Sequence, residues 1–442
     1  MVHHHESSVR LHIAAARYRF KESLFLFPAL VMLAGIALAL GAAALDQALG
    51  PEARVPVTLA MSSNAATWLL ATVAGAMITT VGVVFSLTVV SLQLASDQFS
   101  PRVMRSFIRD RLSQGVIGLL VATFFYCILI LPTLSGEPTD PAPRISLTVA
   151  VILTLVTVVG IIVHLDHLAR GLQVGNLARL IAAEGHSVVA ALNRVPAGLR
   201  PVDPADFPAP EDAAVIPSPV SGWVSQASAS GLLRAVPAGT TIRMETRVGA
   251  YIHAGEPLIT VWPLPSDRIR EQLGGSIEVT DARTMLQDVD FAIRQLVDIG
   301  LRALSPAIND PTTAVEILLR LGSLLRVVLT APLAPQALTD DAGRVLVQPW
   351  NLDHSEYIGH AFDQLRQKCL DQPEVAGALL RVLRMLTAHV QSEGFPEHVA
   401  ALHRQMRLLL EAVDDQPGLH PEDLRRLHSL SSDETDPADH SR

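Results

Sequence analysis

Four stretches of the sequence are long and apolar enough to cross a membrane as helices. A bilayer core about 30 Å thick is spanned by about 20 apolar residues in helical form. The stretches contain no Asp, Glu, Lys or Arg, and they run approximately from Leu24 to Leu45, Ala65 to Ala95, Leu112 to Leu134 and Ile145 to Val163. The sequence therefore predicts four transmembrane helices. Proton-coupled pumps and voltage sensors are not indicated, because they place ionisable residues inside the membrane.

The basic residues beside these stretches predict their orientation, because short cytoplasmic loops carry an excess of Arg and Lys. The flanks on one side of the membrane contain Arg10, Arg17, Arg19, Lys21, Arg102, Arg105, Arg109, Arg111, Arg170 and Arg179. The opposite loops contain only Arg54 and Arg144, together with acidic residues. Both termini, and everything after Val163, should therefore be cytoplasmic.

The second stretch carries a regular row of small and polar residues, which we call the polar row. Its members recur every seven residues, with glycines between them, so that they share one helix face. The polar row consists of Thr72, Gly75, Thr79, Gly82, Ser86 and Gln93. Two interpretations stay open. The row either packs against other helices, or it lines a wet path at the axis of an oligomer, with Thr72, Thr79, Ser86 and Gln93 as pore-lining residues.

Two further groups near the membrane boundary have competing interpretations. Arg102, Arg105 and Arg109 share one face of a segment that Pro101 can start as a helix. They either set topology alone or form an anion-attracting vestibule under a pore. His164 and His167 lie three residues apart, but zinc normally needs three or four ligands. We therefore expect no metal site and no cofactor.

Beyond the membrane region the sequence changes from a proline-rich linker to short β-like runs and then to amphipathic helices. The predicted class is a membrane α-helical region plus a cytoplasmic α+β region, in which a small β barrel-sandwich-like module precedes a helical domain. The predicted segments are 1–23 (cytoplasmic amino-terminal segment), 24–168 (transmembrane domain), 169–213 (helix and Pro-rich linker), 214–264 (β-module), 279–430 (helical domain) and 431–442 (disordered tail).

Two strings of the cytoplasmic half predict a helix and the connection that follows it. A helix is predicted over "DARTMLQDVDFAIRQLVDIGLRAL", with Asp281 as its cap, and "SPAINDP" separates it from the next helix. In that string, Asn309 and Asp310 either cap a helix or bind a small ligand.

Several strings of the sequence resemble known families. "RVGAYIHAGEPLITV" is similar to barrel-sandwich hybrid modules of the biotinyl and lipoyl carrier type. Carriers of that type attach their cofactor to a lysine, and no lysine lies between Lys21 and Lys368, so the resemblance implies a structural module only. "QLASDQFSPR", "HLDHLARGLQ" and "ALSPAINDPTTA" together resemble an uncharacterised bacterial family of predicted membrane proteins. This second resemblance implies amino-terminal spans followed by a soluble region, and it brings no activity.

Composition restricts the function further. The net charge of −9 argues against nucleic-acid binding, which needs a concentrated basic face. No catalytic motif is recognisable, so an enzyme is the third of three functional hypotheses. The leading expectation is a multi-pass protein of the bacterial inner membrane that forms a homo-oligomeric passive ion channel, regulated by its cytoplasmic domain. The alternative is a membrane-anchored scaffold or signalling protein whose cytoplasmic domain binds a protein partner.

Overall fold

The computed structural model describes residues 25–49, 58–98, 110–134, 137–171, 173–192 and 195–431. The predicted amino-terminal segment 1–23 and nearly all of the predicted disordered tail lie outside these residues. The chain divides after Gln173 into two compact units, which are described separately.

The first unit contains the predicted transmembrane helices. They are α1 (Leu26–Leu49), α2 (Ser63–Gln98), α3 (Arg111–Ile130) and α4 (Arg144–Gly171). Among the described residues, these four helices have the length and composition that membrane crossing requires, which confirms the prediction. Helix α2 has 36 residues and, at about 1.5 Å per residue, is longer than the bilayer core is thick. Helix α4 extends past Val163, so that it includes His164 and His167.

Helix α3 lies at the centre of the packing in this unit. A Cβ atom on Gly35 of α1 would lie 2.7 Å from the Cβ of Ala122, so the absence of a side chain allows α1 to approach α3 closely. Tyr126 of α3 is fully buried and donates a hydrogen bond to the Ser146 carbonyl of α4 at 2.9 Å. Asp46 at the end of α1 accepts hydrogen bonds from the backbone amides at the start of α4.

This close approach predicts different effects for two glycines of the same helix. Gly35→Val should destabilise the membrane unit by about 1–3 kcal/mol, because the added atoms collide with Ala122. Gly41→Val makes the same change where a Cβ would meet nothing within 4 Å, and it should be nearly neutral. Thermal unfolding of both variants in detergent measures the difference. Equal losses of stability would contradict the packing of α1 on α3.

The second unit combines two β-sheets with many helices. Its strands are β1 (Leu199–Pro201), β2 (Ala214–Pro217), β3 (Gly222–Ala227), β4 (Thr241–Met244), β5 (Tyr251–Ile252), β6 (Pro257–Trp262), β7 (Ile277–Thr280), β8 (Ala337–Asp340) and β9 (Val345–Val347). One sheet has the order β1-β8-β9-β4-β6-β2, and the other has the order β5-β3-β7. Strands β4 and β9 are parallel, whereas the other pairs are antiparallel.

The helices of this unit pack mainly against one another. They are α5 (Val174–Leu192), α6 (Ala229–Arg234), α7 (Asp267–Gly274), α8 (Val289–Ala303), α9 (Pro311–Thr330), α10 (His354–Lys368), α11 (Pro373–Ser392), α12 (Val399–Asp414) and α13 (Pro421–Ser431). The observed architecture confirms the predicted class, a membrane α-helical region followed by an α+β region.

Two local expectations need correction. The helix predicted to start after Asp281 begins only at Val289, where Asp288 caps it. Strand β7 ends at Thr280, and residues 281–288 between the two elements form no helix. The proline-rich linker contributes strand β1, although prolines disfavour central strands. This strand lies at an edge of the six-stranded sheet, where a missing backbone N–H leaves no ladder partner unsatisfied.

Candidate functional site

The polar row lies on an exposed face of α2. Thr72, Thr79, Ser86 and Gln93 are all exposed in the first unit. A Cβ atom placed on Gly75 or Gly82 would meet no heavy atom within 4 Å, so these glycines do not serve packing against the described helices of this unit.

The opposite face of α2 makes the contacts with the rest of the unit. Ala66, Leu70, Ala74, Met77 and Val84 of this helix are buried in the apolar clusters that also contain residues of α3. At about 3.6 residues per turn, these residues point away from the polar row. The described residues of the first unit therefore contain no helix that packs against the polar row.

The hydroxyl groups on α2 are partly engaged by their own helix. Thr79 donates a hydrogen bond to the Gly75 carbonyl at 2.9 Å, and Thr80 donates one to the Ala76 carbonyl at 2.8 Å. Such bonds satisfy the hydroxyl proton in an apolar environment and leave the oxygen lone pairs available outward. In this conformation Thr79 therefore presents an acceptor to its surroundings.

The expected vestibule residues Arg102, Arg105 and Arg109 lie outside the described residues, and their role stays a prediction.

A small polar cluster joins the start of α3 to the last turns of α4. Ser113 donates a hydrogen bond to Asp110, which also caps α3, and the Ser113 Oγ lies 3.3 Å from the His164 Nδ1. His167 Nε2 is 3.2 Å from the Asp110 carboxylate. In a hydrolase triad the histidine lies between the serine and the acid, whereas here Ser113 contacts the acid directly. Within the described ranges, no group of three or more His, Cys, Asp and Glu side chains is arranged to hold a metal.

The "SPAINDP" string forms the connection between α8 and α9. Asp310 accepts hydrogen bonds from the Thr313 backbone amide at 3.0 Å and from its hydroxyl at 2.6 Å, which is a helix cap. These bonds lower the pKa of Asp310 below the ordinary aspartate value. Asn309 has a positive φ of 49° and accepts a hydrogen bond from Gln372. Capping accounts for these contacts, and ligand binding by Asn309 and Asp310 stays a prediction.

The second unit contains a buried group of charged residues that the sequence did not predict, which we call the charged cluster. Its centre is Asp290, which is only 1% exposed. One oxygen of this carboxylate lies 2.7 Å from the His360 Nδ1, and the other accepts a hydrogen bond from Arg283 at 2.8 Å. Asp288 accepts two hydrogen bonds from Arg283, at 2.7 and 3.2 Å. The members are Arg247, Arg283, Asp288, Asp290, Arg294 and His360.

The surroundings of the charged cluster explain its electrostatics. The Arg283 guanidinium lies over the rings of Trp223 and Phe291, at 5.5 and 5.3 Å from their centroids, which suits a cation. Burial acts to raise the pKa of Asp290, but hydrogen bonds from His360 and Arg283 outweigh it, and the pKa falls below the ordinary aspartate value. A carboxylate with so low a pKa is a poor general base. The cluster is therefore better suited to holding its charged side chains in place than to transferring a proton.

The local sequence contains one weak sign of this cluster. In "DARTMLQDVDF", Asp290 occupies a position that the helical periodicity assigns to the interior, and a buried carboxylate requires a cationic partner. The identity of the partners is not local, since His360 lies 70 residues further along the chain.

Comparisons with known proteins agree with this architecture. Residues 21–385 match the family described as "Predicted membrane protein (DUF2254)". The chain is 32% identical over 355 residues to uncharacterised proteins of Mycobacterium bovis and Mycobacterium tuberculosis, an alignment that covers 78% of this chain and 67% of each relative. No solved structure matches the chain significantly. By the extent of the match and the four apolar helices, the chain belongs to the DUF2254 family of predicted membrane proteins.

Proposed function

We propose that the protein forms a homo-oligomer in the bacterial inner membrane in which copies of α2 surround a passive ion path. The observation that supports this proposal is the position of the polar row. It lies on the face of α2 that none of the described helices of the first unit covers. Polar groups facing lipid are unfavourable, because nothing in the hydrocarbon can bond to them.

The chemistry of the row suits weak interaction with ions. Thr72, Ser86 and Gln93 offer hydroxyl and amide groups without a fixed charge, and conduction requires binding that is weak enough for release. The glycines between them have no side chain, so copies of α2 can approach one another closely around an axis. Both termini lie in the cytoplasm in this proposal, and the second unit regulates the path.

Purified protein in planar lipid bilayers tests the path. Ser86→Leu and Gln93→Leu should lower the conductance by roughly an order of magnitude or more, because a ring of leucines forms a hydrophobic constriction that loses its water. Phe85→Leu is the matched control. Phe85 is also exposed, and it points about 100° away from Ser86 on the same helix.

The same recordings test ion preference. Arg102, Arg105 and Arg109 should concentrate anions at the cytoplasmic mouth, and repetition around a symmetry axis multiplies that charge. A chloride gradient should therefore give an anion-selective reversal potential that Arg105→Glu shifts toward cations. A cation-selective wild type would remove the vestibule from the proposal.

If intact oligomers in planar bilayers gave no conductance, the ion path itself would be excluded. In that case the protein would be a membrane-anchored scaffold or signalling protein whose cytoplasmic unit binds a protein partner.

A further inference from the structure

A cavity of about 340 Å³ lies within the second unit, between the β-sheets and the helices. Its volume falls in the range of about 300–1,000 Å³ that is typical of small-molecule sites. The walls come from α5, the end of α9, the loop that follows α9 and the segments before α8 and α10.

Most of the wall is apolar. Val189 and Leu192 of α5, Val328 of α9, Leu338 of β8 and Leu352 before α10 all line the cavity. An apolar surface of this kind favours a ligand with an apolar body, since both surfaces leave water on binding.

One part of the wall is polar and belongs to the charged cluster. Arg247 and Asp288 line the cavity together with Tyr357. Burial, reinforced by the carboxylates of Asp288 and Asp290, raises the pKa of Tyr357 above the ordinary tyrosine value. The phenol therefore stays protonated at neutral pH and offers a hydrogen-bond donor.

Arg247 brings positive charge to the cavity. Its Nη2 atom lies 3.9 Å from the Asp290 carboxylate, beyond hydrogen-bonding distance, whereas His360 and Arg283 are hydrogen-bonded to that carboxylate. Its Nη1 atom donates to the Val248 carbonyl at 3.1 Å. A guanidinium has five N–H donors, so these contacts leave donor capacity for a ligand.

The charge balance of the cluster favours an anion. The guanidinium groups of Arg247, Arg283 and Arg294 surround the carboxylates of Asp288 and Asp290, which makes three positive charges against two negative ones. The Asp288 carboxylate is held by two hydrogen bonds from Arg283, so its charge is matched within the cluster.

We propose that this cavity binds a small organic anion with an apolar body, whose anionic group accepts hydrogen bonds from Arg247 and Tyr357 while its body contacts Leu192, Val328 and Leu338. This inference does not rest on the ion path, because the ligand site lies within the second unit alone.

Naphthalene-2-sulfonate is a suitable probe, because it joins an apolar ring system to one anionic group. Binding to the full-length protein in zwitterionic lipid nanodiscs is measured by equilibrium dialysis, with empty nanodiscs as the blank. The wild type should show saturable binding with one site per chain. Naphthalene-2-methanol, which is neutral and similar in size, should bind more weakly.

Two variants separate charge from shape. Arg247→Gln should weaken binding of the sulfonate by about tenfold or more, and it should remove the preference for the sulfonate over the alcohol. Arg268→Gln is the control, because Arg268 is an exposed arginine of α7 in the same unit. Ala334→Trp should abolish binding of both probes by filling the cavity, since Ala334 lines it.

The outcomes that overturn the proposal are equally specific. Binding in Arg247→Gln equal to that of the wild type, or no binding above that of empty nanodiscs, would remove the anion site. Should Arg247→Gln fail to fold, a folded Ala334→Trp or Tyr357→Phe decides the matter. Wild-type affinity in Ala334→Trp would exclude the cavity as the site, and wild-type affinity in Tyr357→Phe would exclude the phenol as a donor.

Discussion

Replacing Asp290 with alanine should destabilise the second unit by about 3–5 kcal/mol, because it leaves buried cations without their counter-charge. Arg283 is largely buried and directs a hydrogen bond to Asp290, and Arg247 and Arg294 approach the same carboxylate. At about 2–4 °C per kcal/mol, the apparent Tm of this unit should fall by roughly 10 °C. Thermal unfolding followed by tryptophan fluorescence measures the shift.

Two further variants identify the cause of this loss. Asp290→Asn keeps the shape of the side chain but removes its charge, and it should account for most of the effect of alanine. Asp267→Ala removes an exposed carboxylate of α7 and should change stability by less than about 0.5 kcal/mol. A small effect of Asp290→Asn would show that packing, and not charge, is what Asp290 contributes.

The pH dependence of this contribution follows from the direction of the pKa. Asp290 has a lowered pKa in the folded protein, whereas an unfolded aspartate titrates at about 3.9. Its contribution is therefore complete above that unfolded value and is lost as the pH falls through the lower folded value. The destabilisation by Asp290→Ala should persist at pH 5 and diminish only below about pH 4.

Substituting Gly249 with alanine should be the most damaging glycine replacement near the charged cluster. Gly249 has a φ of 84°, and a Cβ atom there would collide with a carboxylate oxygen of Asp288. The backbone strain of an alanine at positive φ costs about 1–2 kcal/mol. Displacement of Asp288 from Arg283 adds about 1–3 kcal/mol, as in other overpacked sites.

Gly255 provides the matched control for this substitution. Its φ of 90° is similar, but a Cβ atom would meet nothing within 4 Å. Gly255→Ala should therefore carry the strain without the collision. Chemical unfolding of the two variants should show Gly249→Ala as the less stable by about 1–3 kcal/mol. Equal stabilities would mean that Asp288 moves aside at no cost.

The parts of the fold that depend on local composition could be predicted from the sequence. The transmembrane helices follow from the length of the apolar runs, and strands β2 to β6 follow from turn residues between alternating apolar ones. Strand β7 was missed because its partner is β3, about fifty residues earlier, and pairing at that distance leaves no local sign. Asp281 and Asp288 are equally suitable caps by residue type, and in the structure it is Asp288 that accepts the hydrogen bond from the Phe291 backbone amide.

The candidate sites show the same division. The periodicity of the polar row was readable, because seven residues return to one face of a helix. The exposure of the polar row could not be predicted from the sequence, since it depends on which face of α2 packs against α3. The cavity and the charged cluster were not predicted at all, because Arg247, Asp290 and His360 come together only through the packing of distant segments.

The parallel pairing of β4 with β9 has a consequence for biosynthesis. Thr241 of β4 lies opposite Val345 of β9, so about a hundred residues separate the partners along the chain. At a translation rate of about 5–20 residues per second, β4 leaves the ribosome roughly 5–20 s before its partner exists. During that interval the amino-terminal helices are already made, while one side of β4 presents unpaired backbone groups. The nascent chain is therefore anchored in the membrane while its sheet is incomplete. The distance between unpaired strands of neighbouring nascent chains is then set by the spacing of those chains in the membrane.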